Sequence, residues 1–82
     1  MGKTTLVTFK VFDPILGTVN TSFRTFVSVG YANKHINNEI GKFIRNINGN
    51  YTIINTENKV TIIRQDFPKN IYTWTTEEDV PD

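Results

Sequence analysis

Residues 36–47 read INNEIGKFIRNI, and this stretch decides the fold. Its apolar side chains recur at offsets of 0, 4, 7, 8 and 11, which is the spacing of one face of an α-helix. These residues are Ile36, Ile40, Phe43, Ile44 and Ile47. The sequence therefore predicts one amphipathic helix over residues 33–47.

Capping signals stand at both ends of this helix. Asn33 and Asn37 are alternative N-caps, because an asparagine side chain accepts a hydrogen bond from the exposed N–H groups of a first turn. Gly49 stands where a left-handed C-cap residue belongs. Gly41 costs about 1 kcal/mol relative to alanine in the middle of a helix, and close packing of the helix against a sheet would explain its presence.

β-branched and aromatic runs precede the helix. Residues 4–12 (TTLVTFKVF) and 19–29 (VNTSFRTFVSV) are typical of strands. Pro14 and Gly17 mark the loop between them, because proline lacks a backbone donor and glycine adopts positive φ without strain. The loop is short enough to join the two strands as an antiparallel hairpin.

Three more strands are predicted after the helix, at residues 51–56, 60–65 and 71–76. Asn58 lies in the turn between the first two and can take the left-handed conformation. Residues 66–70 (DFPKN) form the next turn. The order ββαβββ with short connections predicts an α+β fold, in which one amphipathic helix packs on one face of a small antiparallel β-sheet.

Charge is divided unevenly along the chain. Residues 1–76 carry a formal charge of +5, and the last six residues, EEDVPD, carry −4. We interpret residues 1–76 as a single α+β domain and residues 77–82 as an acidic, disordered tail. Neither a signal peptide nor an apolar run of membrane-spanning length is present, so we expect a cytoplasmic protein that does not bind membranes.

A single helix covers only one face of a five-stranded sheet, which leaves the opposite face to solvent or to a partner. Alternation of side chains along the strands predicts which residues lie there. The prediction requires that Val27, Val29 and Ile71 point toward the helix. The partner-binding residues that it places on the uncovered face are Lys10, Phe12, Arg24, Phe26, Arg64, Tyr72 and Trp74.

The opposite assignment of faces stays open at this point, because a shift of one residue in register exchanges the two sides of a strand. In that alternative, Tyr72 and Trp74 pack on the helix as part of the core. Phe12 and Phe26 would then pair across the first hairpin.

The sequence contains none of the residue patterns typical of catalysis. It has no cysteine and one histidine, His35, and no serine lies in a nucleophile-elbow motif. Carboxylates outside the acidic tail are scattered, so neither a metal nor another cofactor is expected. Gly2-Lys3-Thr4 resembles the end of a P-loop, but the first glycine and the strand that such a loop requires do not precede it. We therefore predict a protein that is not an enzyme.

Aromatic and arginine side chains on an uncovered sheet are typical of protein interfaces. The sequence thus favours a protein-binding module that forms a homodimer or binds a larger protein. Small size, the absence of cysteine and a residue usage typical of AT-rich codons further suggest a phage accessory protein in the host cytoplasm. Such a protein would inhibit a host enzyme or defence factor by steric occlusion or sequestration.

Binding of single-stranded nucleic acid is the alternative function. Phe12, Phe26, Tyr72 and Trp74 would stack on bases, and nearby cations would contact phosphates. Those cations are Lys10, Arg24 and Arg64. A body charge of +5 is modest for this function, which makes protein binding the first prediction.

Overall fold

The computed structural model describes residues 3–46, 50–65 and 69–81 and confirms the predicted α+β fold with element order ββαβββ. All neighbouring strands are antiparallel, and their order across the sheet is β2-β1-β5-β4-β3. One helix packs on this sheet, against β1, β2 and β5. The elements are β1 (Lys3–Asp13), β2 (Thr18–Phe26), α1 (Val29–Asn46), β3 (Tyr51–Asn55), β4 (Lys59–Arg64) and β5 (Ile71–Pro81).

The helix begins earlier than its apolar spacing predicts. α1 begins at Val29, and Ser28 is its N-cap: the Ser28 Oγ accepts from the Tyr31 N–H at 3.5 Å. Asn33 and Asn37 both lie inside α1, so the prediction that one of them caps it is wrong. The proposed C-cap, Gly49, and the last residue of the apolar stripe, Ile47, lie outside the described residues.

Close packing does not account for Gly41. A Cβ atom built at this position would meet only Nη1 of Arg45, at 3.9 Å, which is an ordinary van der Waals contact. The expectation that the sheet demands a glycine here is therefore wrong.

The turn between β1 and β2 is closed by Asp13 and Gly17. Gly17 has a φ of 70°, as the sequence predicts for this glycine. Its N–H donates to the Asp13 carbonyl at 2.7 Å. The Asp13 carboxylate also accepts from the N–H groups of Ile15 and Leu16, at 2.9 and 3.2 Å. These bonds hold the backbone of the turn while the side chains of Ile15 and Leu16 remain exposed.

The turn between β3 and β4 differs from the prediction. Lys69 is the one described residue other than glycine with a positive φ, so Asn58 is not left-handed. Instead, the Thr56 N–H donates to the Lys59 carbonyl at 2.8 Å, and the Thr56 hydroxyl donates to the same oxygen at 3.1 Å. Of the predicted turn at 66–70, residues 66–68 lie outside the described residues.

The last strand is longer than predicted. Residues 77–81, which the sequence assigns to a disordered tail, form the second half of β5 and pair with the start of β1. Glu77 lies opposite Leu6, and one extra residue of β5 is accommodated by a register shift between Leu6 and Thr4. Pairing with β1 satisfies backbone groups of both strands, which overrides the low strand propensity of the acidic residues. Asp82 lies outside the described residues.

A small aromatic core joins α1 to the sheet. The fully buried apolar residues are Val7, Ala32, Ile36, Ile62 and Trp74. The Phe43 ring of α1 packs against three rings of the sheet, with centroid distances of 4.6 Å to Tyr72, 5.5 Å to Trp74 and 5.8 Å to Phe9. Ring pairs at these separations contribute beyond the area that they bury.

Candidate functional site

The strand registers assign every sheet residue to one of two faces. Val7 and Trp74 are 2% and 1% exposed beneath α1, and they define what we call the helix face. Side chains alternate along a strand, so Thr8 and Phe12 lie on the opposite side. We call this side the open face, because no element in the described part of the chain packs on it.

Two of the seven predicted partner-binding residues lie on the open face, namely Lys10 and Phe12. The prediction that they lie on the uncovered face is wrong for the other five, which lie on the helix face. They are Arg24, Phe26, Arg64, Tyr72 and Trp74.

The error on β2 follows from where the strand ends. β2 ends at Phe26, so Val27 and Val29 lie beyond the strand. Their positions therefore do not indicate which face of the sheet the residues of β2 occupy. In the observed register Val7 lies opposite Arg24, which places Arg24 and Phe26 on the helix face. The Arg24 guanidinium carbon is 5.3 Å from the centroid of the Phe26 ring, so these two side chains form a cation–π contact there.

The error on β5 follows from side-chain size. Ile71 and Trp74 lie on opposite faces of β5. Because both faces carry apolar residues, alternation alone does not decide which of the two residues points toward the helix. Trp74 and Tyr72 reach Phe43 of α1, whereas Ile71 lies on the open face. The larger aromatic side chains fill the space between helix and sheet, which is the alternative that the sequence leaves open. Arg64 shares the helix face with the buried Ile62 and lies opposite Tyr51.

An apolar row crosses four strands of the open face. Val19 of β2 lies opposite Phe12 of β1, Phe12 opposite Ile71 of β5, and Ile71 opposite Ile63 of β4. We call these four residues the apolar row. Val19, Ile63 and Ile71 were missed at the sequence level. They are identified once Phe12 is assigned to the open face and the strand order shows which residues lie beside it.

Threonines and two lysines surround the apolar row. Lys10 is exposed, with Thr21 opposite it on β2 and Thr73 opposite it on β5. Lys59 of β4 lies opposite Thr75 of β5, near the β3 edge of the sheet. Farther along β2, Phe23 lies opposite Thr8 on the open face. The open face thus combines apolar side chains with neutral hydroxyls and exposed lysines. Of its apolar side chains, Val19 and Phe23 are exposed, and Phe12, Ile63 and Ile71 are half-buried.

One cavity brings together the residue types of a hydrolytic triad. It has a volume of about 190 Å³, and its lining includes Ser22, His35 and Glu39. Nε2 of His35 lies 3.8 Å from Glu39 Oε1, beyond hydrogen-bond distance, and Glu39 Oε2 lies 3.9 Å from Nζ of Lys42. Among the described side chains, Ser22 and His35 form no hydrogen bond. The geometry therefore fits a surface ion pair along α1 rather than an activated nucleophile.

A larger cleft lies beside the start of α1. It has a volume of about 670 Å³ and includes Glu57, Glu77 and Glu78 in its lining. Within residues 3–46, 50–65 and 69–81, no group of three or more histidine, cysteine, aspartate or glutamate side chains could hold a metal ion. The hydroxyls of Thr75 and Thr76 also line the cleft, but among the described side chains neither forms a hydrogen bond with these carboxylates.

The helix in the described part of the chain is too polar to cross a lipid bilayer. Comparisons of the chain with models of protein families, with curated proteins and with solved structures find no significant match.

Proposed function

We propose that this protein is a non-catalytic protein-binding module and that its open face is the binding surface. The apolar row carries this proposal: four apolar side chains from four neighbouring strands lie on a face that no described element covers. A contiguous apolar surface that the fold leaves uncovered is typical of an interaction site.

The charge of the open face suggests the chemistry of the partner. Lys10 stands next to the apolar row, and Lys10 and Lys59 are both exposed. Face-to-face packing of two copies would bring the Lys10 ammonium groups of both copies into one desolvated interface, which costs free energy. A different protein with an apolar patch and a carboxylate opposite Lys10 fits this surface better.

Occlusion is the mechanism that such a surface supports. A protein that binds another protein through an apolar sheet face acts by covering its partner's surface or by sequestering it. Inhibition of a host enzyme or defence factor by a phage accessory protein is the form of this function that the chain's size and residue usage suggest.

Site-specific photo-cross-linking tests the proposal. A photoreactive phenylalanine analogue replaces Phe12 on the open face or, as a matched control, the exposed Asn38 on α1. Each variant is incubated with lysate of the source cells, and the cross-linked proteins are identified by mass spectrometry. We expect a protein that is captured at position 12 and not at position 38.

The affinity of the purified partner then gives the decisive measurement. Loss of two apolar contacts in the double variant F12S/I63S should weaken binding by about 30-fold or more, as for an interface hot spot. Circular dichroism establishes that the variant is folded. Equal capture at both positions, or unchanged affinity of the folded double variant, contradicts the proposal.

A further inference from the structure

β2 is an edge strand with an unprotected outer side. It spans nine residues, and its register with β1 runs without a shift from Thr18 opposite Asp13 to Phe26 opposite Thr5. It contains no proline, no lysine and no bulge, which are features that keep natural sheet edges from pairing with other chains, and Arg24 is its one charged residue.

The exposed apolar side chains around β2 are arranged symmetrically about Thr21. Val19 and Phe23 lie two residues to either side of Thr21, and they are 56% and 67% exposed. Ile15 and Val27 lie six residues to either side, and they are 56% and 77% exposed. Together with Leu16 these residues account for half of the ten exposed large apolar side chains in the described part of the chain.

We propose that two copies of this protein pair antiparallel along β2, with Thr21 of each copy opposite Thr21 of the other. A two-fold contact uses the same patch on both copies, so the patch must be self-complementary. In this register Val19 of each copy lies opposite Phe23 of the other, and the contact occurs twice. Pairs of an aromatic and a β-branched residue are among the favourable cross-strand pairs.

The ends of the strand also match in this register. The turn that exposes Ile15 and Leu16 reaches the end of the other β2, where Val27 is exposed. Arg24 lies opposite the neutral Thr18, and its two copies are about 20 Å apart at 3.3 Å per residue. No like charges therefore face each other across the interface.

Other registers fit less well. Centring the pair on Arg24 places two guanidinium groups directly opposite each other, which is destabilising. Centring it on Ser22 places the two exposed apolar side chains of β2, Val19 and Phe23, opposite threonines. Centring it on Phe23 places the two Phe23 rings opposite each other and Val19 opposite Val27, but it moves the turn with Ile15 and Leu16 well beyond the end of the other β2.

The dimer forms one continuous ten-stranded sheet whose two open faces lie side by side. Its interface comprises about 13 residues from each copy, compared with 20–30 per side in an interface of standard size. We therefore expect a weak dimer, with a dissociation constant on the order of micromolar. This proposal does not rest on the proposed function, because its test needs no other protein.

Charge substitutions at the two-fold axis test the proposal by sedimentation velocity from about 1 µM to 1 mM. The wild-type chain should shift from monomer to dimer over this range. T21K should raise the dissociation constant about tenfold, because it places two lysines opposite each other across the interface. T21E should raise it less, because Lys10 of the same copy lies opposite position 21 and offsets the charge of the glutamate. An equimolar mixture of T21K and T21E should restore dimerisation, because the charges are then opposite in sign.

Two variants provide matched controls. T25K adds the same charge on the same strand and face, but its two copies would lie about 26 Å apart, well beyond the screening length of physiological salt. T52K adds the charge to β3, the edge strand at the other side of the sheet. Both should dimerise as the wild type does.

Cross-linking measures the register directly, because the natural chain contains no cysteine. A short bismaleimide should link T21C to itself and V19C to F23C in a mixture of the two. A wild-type chain that stays monomeric to about 1 mM overturns the proposal, as does a mixture of T21K and T21E that sediments no faster than the average of the two variants measured alone. Efficient linking of F23C to itself in place of T21C would overturn the register.

Discussion

The ring centroids of Trp74 and Phe9 are 4.9 Å apart, and the two residues are direct cross-strand neighbours beneath α1. Phe43 of the helix contacts both rings. This cluster joins the helix to the central strand β5 and to its neighbour β1. The tryptophan that the sequence places on a binding surface therefore stabilises the fold.

Replacing Trp74 should unfold the protein rather than affect only its interactions. The truncation of a buried aromatic side chain costs about 3–5 kcal/mol, and a domain of this size has a net stability of about the same magnitude. We expect W74S to lose its circular dichroism signal at 25 °C, whereas F12S on the open face should stay folded. A folded W74S variant with the urea midpoint of the wild type would show that Trp74 is not part of the core.

Gly41→Ala should raise the free energy of unfolding by about 1 kcal/mol, because alanine has the higher helix propensity and its Cβ meets no close contact. Gly17→Ala is the matched opposite case. Gly17 has a φ of 70°, at which a Cβ costs roughly 1–2 kcal/mol. Urea denaturation measures both variants, and a destabilised G41A would point to a steric constraint on α1 that the structure does not contain.

Ser28→Ala should lower the free energy of unfolding by about 1 kcal/mol, since it removes the side chain that caps α1. Asn33→Ala is the informative control. Asn33 is one of the two alternative caps that the sequence predicts, but it lies in the interior of the helix, where alanine is the better helix former. Thermal unfolding should rank N33A above S28A, and the reverse order would place the start of the helix at Asn33.

Binding of single-stranded nucleic acid should be absent at micromolar protein, even at low salt. Three of the four rings proposed to stack on bases lie on the helix face: Phe26, Tyr72 and Trp74. Fluorescence anisotropy with labelled 20-nucleotide DNA and RNA at about 20 mM salt gives the most sensitive measurement, because phosphate contacts are strongest there. Micromolar binding that weakens steeply with added salt would favour the nucleic-acid function over protein binding.

The fold class follows from the sequence because its two periodicities are distinct. The stripe that includes Ile36, Ile40 and Phe43 has the helical spacing, and the β-branched runs on both sides of it have strand character. The periodicity does not predict that residues 29–32 belong to the helix. They read VGYA, and the β-branched Val29 and the glycine that follows it are poor helix formers, but Ser28 caps them into α1.

The site was harder to predict than the fold, because it depends on which face of the sheet each strand residue occupies. Lys10 and Phe12 are placed correctly, since β1 has one clear apolar side. Arg24 and Phe26 were misplaced by including Val29 in the strand, which adds residues that follow a different geometry. On β5 both sides are apolar, and the contact of Trp74 with the helix decides between them. Such tertiary contacts have no signature in the local sequence.

The position of β5 has a consequence for folding. The strand lies between β1 and β4, although it follows both in the chain, so β1 and β5 meet across some 60 intervening residues. During synthesis the β1–β2 hairpin and the β3–β4 hairpin leave the ribosome without the strand that joins them. Contacts so distant in sequence slow folding, and a nascent chain that stops before Ile71 contains two separate hairpins, each only marginally stable by itself.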